Sequence, residues 1–222
     1  MNLKNKFGSL LTKYLVERLR FKLLFIFKRF CKPGYRVLDI GCGYRGSLNY
    51  NLFNKKINLS LLDVNQGYLE KAKKRYKPCK SYLGWFEKLK IRDKFDIIIF
   101  AGVIQYVKNP IKTLEKIHSL LKNNGFLIIT TVNKNSFLRK MGIITTKLKK
   151  SKNKAYTERR LYTLDELKKL LKEQGFEIIS TFGTDRFSLV GADLIIVGKA
   201  KKTKIKIFPK VDKGHLKFHK YF

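Results

Sequence analysis

The stretch "RVLDIGCGYRGSLNY", residues 36–50, decides how this chain is read. Gly41, Gly43 and Gly46 spell G-x-G-x-x-G, a loop that lets a backbone approach the pyrophosphate of a dinucleotide. Gly41 and Gly43 remove side chains where a ligand would touch the backbone, and Gly46 permits close helix packing. Asp39 points elsewhere: the first strand of a dinucleotide fold normally runs apolar up to its glycines. Asp63 closes the next apolar run, 20 residues after Gly43, where a carboxylate can accept both hydroxyls of a ribose. The loop therefore serves a nicotinamide dinucleotide or an adenosine cofactor without phosphates. A nicotinamide enzyme usually adds a substrate domain, for which 222 residues leave little room.

Outward from the loop, short β-branched runs alternate with amphipathic stretches. Strands are expected at 35–40, 57–63, 81–85, 95–102, 126–132, 176–182 and 193–200. Helices are expected at 9–30 (one or two), 68–76, 110–122 and after Thr163, where Thr163 and Glu166 make a capping box. Pro110 opens the third of these, and Asn123, Asn124 and Gly125 are expected to end it. Near-continuous apolar strands separated by helices imply a parallel sheet covered on both faces. The fold class is α/β: Rossmann-like and doubly wound, a seven-stranded mostly parallel sheet with an antiparallel last strand. Residues 1–33 read as a basic helical segment, 34–200 as the main domain, interrupted at 133–160 by a polar, basic insert that the resemblance given below makes lid-like, and 201–222 as a basic tail.

The motifs resemble those of class I S-adenosylmethionine-dependent methyltransferases, most closely the type 11 group. "VLDIGCG" is similar to that family's first motif and "LLDVNQGYLEKAKKR" to its second. "FDIIIFAGVIQYVKNP", "LKNNGFLIITTVN" and "YTLDELKKLLKEQGFEII" follow in the family's order. The resemblance implies S-adenosylmethionine as cofactor. It implies that Asp39 orients the methionine amino group, that Gly41, Cys42 and Gly43 line the methionine and ribose, and that Asp63 grips the ribose hydroxyls. Val64 would flank the adenine, with Ala101 and Gln105 near the methionine end.

Three positions depart from the family pattern. Arg45 stands where a small residue is common. After the third strand, Gly84 or Trp85 replaces the acid that meets the adenine amino group, with Glu87 the nearest carboxylate. Trp85 and Phe86 either stack on the cofactor or are ordinary core aromatics. Tyr106 replaces a histidine, and is the first candidate for a catalytic or substrate-facing polar group. His118, mid-helix, reads as structural. In the insert, Arg139, Lys140, Tyr156, Arg159 and Arg160 would face an anionic acceptor, or simply form a solvated basic loop.

Charge and cysteine usage bound the rest. The net charge of +34 is uneven: residues 1–36 hold 10 basic against 1 acidic, 134–160 hold 10 against 1, and 199–222 hold 9 against 1. Residues 161–198 hold 4 against 6, an acidic balance that a uniform bias would not leave. Two readings of the excess stay open: a compositional bias of the whole chain, or an anionic partner among membrane surface, nucleic acid and acceptor. The basic, apolar "RLRFKLLFIFKRF" (18–30) suits the membrane surface, by lying on an anionic membrane. Nucleic acid is disfavoured, since no base-recognition motif follows the fourth strand. Three unpaired cysteines and the lack of a signal-peptide pattern suggest a cytoplasmic location. His215 and His219 have helical spacing but no evident further ligands, so no metal is expected. The function that follows is methyl transfer to a small-molecule, glycan or lipid-linked acceptor, the alternatives being a nucleic-acid methyltransferase and a non-catalytic scaffold.

Overall fold

The computed structural model describes residues 3–53, 56–136, 160–183 and 193–201, with side chains from Lys13 onward. A 28-residue helix, α1 (Leu3–Phe30), leads in. It is a single helix, and it stops before Pro33, which lacks a donor and disfavours helix in Lys32. Then follow β1 (Arg36–Ile40), β2 (Asn58–Asp63), α2 (Gln66–Tyr76), β3 (Lys80–Leu83), β4 (Phe95–Ala101), α3 (Pro110–Leu120) and β5 (Leu121–Val132). The last described elements are α4 (Leu164–Glu173), β6 (Phe176–Gly183) and β7 (Asp193–Ala200).

The seven strands form one sheet in the order β3-β2-β1-β4-β5-β7-β6. All pairs among β1 to β5 are parallel, and β7 runs antiparallel to both β5 and β6. The order reverses between β1 and β4, and at such a switch point the loops beyond the carboxyl ends of the strands form a crevice.

Alternation along the strands builds two apolar layers. Ile98 and Phe100 of β4 face α3 and α4, packing with Leu114, Ile117, Leu167 and Leu171. Ile97 and Ile99 face the other way, with Leu23, Ile26 and Phe27 of α1 and Leu69 of α2. The carboxyl half of α1 thus packs into the core on this face of the sheet.

Local signals account for most boundaries. Asn65 caps α2 by accepting from Tyr68 N at 2.9 Å, and Asn109 caps α3 by accepting from Lys112 N at 3.0 Å. The capping box at Thr163 and Glu166 is complete. The exit from α3 differs from expectation. The helix ends at Leu120 and β5 begins at once, while Asn124, at φ 64°, sits within the strand beside a register shift against β4. The Asn-Asn-Gly run therefore adjusts the strand and does not terminate the helix. No helix among the described residues is long and apolar enough to cross a membrane.

Candidate active site

The loop after β1 is built by polar staples. Gly41 N and Cys42 N both donate to Leu62 O, at 2.8 and 3.0 Å, pinning the loop to the end of β2. Gly43 N donates to Asp63 Oδ2 at 2.7 Å, and Asn65 N donates to Asp63 Oδ1 at 2.8 Å. Asp63 is thereby fixed at the carboxyl end of β2 between the two segments that frame the crevice. Both its oxygens are engaged by amides, yet each keeps acceptor capacity for a ligand hydroxyl.

Asp39 is fully buried, and its carboxylate works within the loop. It accepts from Ser47 N at 2.9 Å, Ser47 Oγ at 2.5 Å and Tyr50 Oη at 2.9 Å. Burial pushes the Asp39 carboxyl above its ordinary range, while the bonds from Ser47 and Tyr50 pull against that shift. Burial, followed by the nearby Asp39 charge, raises both Cys42 and Tyr50. Any effect of Asp39 on a ligand passes first through the shape of residues 43–50.

The far side of the loop is held by helices. Arg20 of α1 donates through Nη1 to Gly46 O and through Nη2 to Arg45 O, the latter at 3.0 Å. Tyr76 of α2 donates to Arg45 O at 2.5 Å and Leu48 O at 3.2 Å. Arg45, out of pattern in the sequence, pairs through Nη1 with Glu17 Oε1 of α1 at 2.6 Å. Arg20, Glu17, Ser47, Tyr50 and Tyr76 were not foreseen as site residues. The one available signal was Glu17, the single acid among the first 36 residues, set against an unusual Arg45.

The loop is followed by no α-helix up to Phe53; Tyr50–Leu52 make one 3-10 turn. A pyrophosphate site relies on a helix N-terminus aimed at the ligand, and this loop offers none. It suits an adenosine cofactor without phosphates. A Cβ added at Gly43 would meet nothing within 4 Å, so the backbone there borders open space beside Asp63. These features fit a nucleoside whose ribose lies at Asp63.

Around this centre, Val64 is half-buried at the start of the β2–α2 turn. Trp85 is 45% exposed just beyond β3, whereas Phe86 is 5% exposed and packs in the core beneath Lys116, whose Nζ lies 4.7 Å from its ring centroid. Of the two aromatics, only Trp85 is available for stacking. Glu87 is exposed, and its Oε1 accepts from Thr113 Oγ1 of α3 at 3.5 Å. Ala101 ends β4, and Gly102 N ties it to Thr130 O of β5 at 3.0 Å. Gln105 is buried, its Oε1 accepting from Thr131 Oγ1 at 3.1 Å. Tyr106 follows, half-buried in the 3-10 turn Ile104–Tyr106. His118 stacks edge-on against Phe176 at 5.1 Å, at the other end of the sheet.

Both stems of the insert lie on this crevice. Asn133 and Tyr162 form a bridge, Lys134 N donates to Tyr162 O at 2.9 Å, and Arg160 N donates to Gln105 O at 3.4 Å. Arg160 is exposed next to the Gln105–Tyr106 turn. Arg139, Lys140, Tyr156, Arg159, His215 and His219 lie outside the described residues.

Comparison with known proteins agrees with this geometry. A family model described as a methyltransferase domain matches residues 11–181. An uncharacterised protein of Methanocaldococcus jannaschii is 37% identical over 110 residues, covering 49% of this chain and 45% of that one. A ubiquinone biosynthesis O-methyltransferase of Bradyrhizobium diazoefficiens is 32% identical over 111 residues, covering 47% and 43%. The chain spans about half the length of the curated relatives it matches. In fold it is similar to an S-adenosylmethionine-dependent methyltransferase of Clostridium acetobutylicum, with a TM-score of 0.63, 17% identity, and coverage of 90% of this chain and 100% of that one.

Proposed function

Because the chain belongs to the methyltransferase-domain family, we propose that it binds S-adenosylmethionine and catalyses methyl transfer to a small-molecule, glycan or lipid-linked acceptor. The observation that carries this reading is the junction of Asp63 with the glycine loop. A carboxylate is fixed by two backbone amides, one of them from Gly43, whose backbone borders open space, in a loop that leads into no α-helix up to Phe53.

When bound, S-adenosylmethionine supplies a methyl group already activated by its positive sulfur, which leaves orientation and exclusion of water to the protein. Asp63 holds the ribose hydroxyls with the acceptor capacity its amide bonds leave over. Asp39 keeps the loop in shape through Ser47 and Tyr50. Val64 and Trp85 border the adenine side, and Ala101 and Gln105 the methionine side. The Tyr106 hydroxyl orients the acceptor. Arg160, with Arg139, Tyr156 and Arg159 of the insert, meets an anionic acceptor group. The relative named for O-methyl transfer supports an oxygen nucleophile on a small molecule over a nucleic-acid base.

Calorimetric titration with S-adenosylmethionine tests the reading. The expected result is saturable binding by the wild type, weakened by about tenfold or more in Asp63→Ala through loss of two charge-assisted hydrogen bonds. A folded wild-type protein that takes up no cofactor overturns it, and makes the chain a scaffold on a methyltransferase fold.

A further inference from the structure

We propose that the outward face of α1 is a docking surface for an anionic lipid bilayer. Tyr14, Phe21 and Phe25 recur at i, i+7 and i+11 and so share one stripe of the helix. They are 57%, 73% and 67% exposed. The opposite stripe, with Leu15, Leu23, Ile26 and Phe27, is buried. The helix therefore carries two apolar faces and uses only one of them in the domain.

The charges beside the free face are positive but for Glu17. Lys28 and Arg29 are exposed at its carboxyl end, and Arg18 sits between the aromatics with its guanidinium 5.6 Å from the Tyr14 ring centroid. The only acid in residues 1–36 is Glu17, already paired with Arg45. A cationic rim around exposed phenylalanines is complementary to a surface that is anionic at its headgroups and apolar just beneath. A duplex nucleic acid would reward the cations alone and leave two phenylalanines in water, while single-stranded RNA, whose bases can stack on aromatic rings, is the rival that the test below carries as an outcome.

Docking on this face has a consequence for the site. Arg20, on the inner side of the same helix, grips the carbonyls of Arg45 and Gly46. A bilayer seated against α1 would fix the cofactor loop's position relative to the membrane, which suits an apolar acceptor. The docking itself stands independently of whether the crevice binds S-adenosylmethionine.

The test is co-sedimentation of the full chain with phosphatidylcholine vesicles, with and without about a quarter phosphatidylglycerol, at about 0.1 M salt. Binding is expected only to the anionic vesicles. It should fall by about tenfold or more in the Phe21→Ser/Phe25→Ser double variant, because reward scales with apolar area buried. Lys28→Glu/Arg29→Glu should weaken it further at low salt. An unchanged thermal melt for each variant keeps the reading free of folding effects, since all four side chains are exposed. Failure to bind anionic vesicles overturns the proposal. So does binding that ignores the phenylalanines, or that single-stranded RNA abolishes and the double variant does not alter.

Discussion

Arg20→Met isolates the contribution of α1 to the cofactor loop. Methionine keeps an apolar stem against the neighbours of Arg20 and removes only the guanidinium fork. That side chain is 14% exposed, and its two nitrogens hold Gly46 O and Arg45 O. A hydrogen bond from a charged donor contributes about 1.5–3 kcal/mol, and water at this border can replace part of it, so about 2–3 kcal/mol for the pair is the working figure. Leu23, Ile26 and Phe27 are untouched and keep α1 in place, so most of the loss should fall on the loop and not on global stability. At about 1.4 kcal/mol per decade, S-adenosylmethionine affinity should weaken by roughly 25- to 150-fold. Calorimetry gives that number, and hydrogen exchange should show faster exchange at the amides of Gly43 and Ser47. Arg20→Lys should fall between, because a point charge cannot span both carbonyls. Affinity within about twofold of wild type, with unchanged exchange, would refute the idea that α1 shapes the site.

Three further outcomes follow from other contacts. Gly41→Ala should destabilise the fold by about 2–4 kcal/mol, combining the left-handed φ of 70° with a Cβ placed 2.5 Å from Val103 Cγ2. In chemical denaturation, Gly41→Ala/Val103→Ala should cost less than the sum of its single changes, since the steric share depends on both side chains. Trp85→Ala should lower cofactor affinity with little change in melting temperature, given its exposure and its place one residue after Gly84, whose amide donates to Asp63 O; unchanged affinity would remove Trp85 from the adenine site. Asp93, bonded by Lys80 at 2.7 Å, Tyr82 at 2.8 Å and Arg36 at 2.5 Å, is held well below the usual carboxylate range. Its folded value lies below its unfolded one, so its stabilisation is complete above about pH 4 and is lost as the pH falls further. Asp93→Asn should lower stability at neutral pH by about 1 kcal/mol, a partly exposed cluster's worth, and flatten the acid limb of the pH profile in denaturant melts.

The sheet was legible because its signals are local. Apolar runs such as Phe95–Ala101, the glycines at 41 and 43, the acid at 63 and the Thr163 capping box each declare themselves within a few residues. The supports of the loop were not legible, because they join residues 25 to 31 positions apart, as Arg20 does with Arg45 and Tyr76 with Arg45. No periodicity encodes such pairs; they exist only once α1 and α2 have packed on the same face of the sheet. Phe86 shows the same limit from the other side. Adjacent to Trp85 and equally aromatic, it turns inward because Lys116 of α3 lies over its ring and its neighbours close the core. Chain neighbours after a strand point to opposite sides, and which side is wet depends on the helix that covers it.

The glycine pattern is the sharpest instance of one spelling with two physical meanings. In a dinucleotide site the three glycines serve a turn, a pyrophosphate and a helix that follows. Here each answers a different demand. Gly41 adopts φ 70° and lies where Val103 leaves no room for a Cβ. Gly43 adopts φ 61° so that its amide can reach Asp63, with open space on its other side. Gly46 adopts φ 68°, and a Cβ there would come within 2.8 Å of Tyr76 and 3.0 Å of Leu48 O. The third glycine therefore answers to α2, through the tyrosine that also satisfies the carbonyls of Arg45 and Leu48. With no α-helix after it to take up those carbonyls, the loop must borrow donors from elsewhere. Arg20 and Tyr76 are those donors. A loop braced from outside in this way keeps its shape without a phosphate to organise it, which is the condition a phosphate-free cofactor imposes.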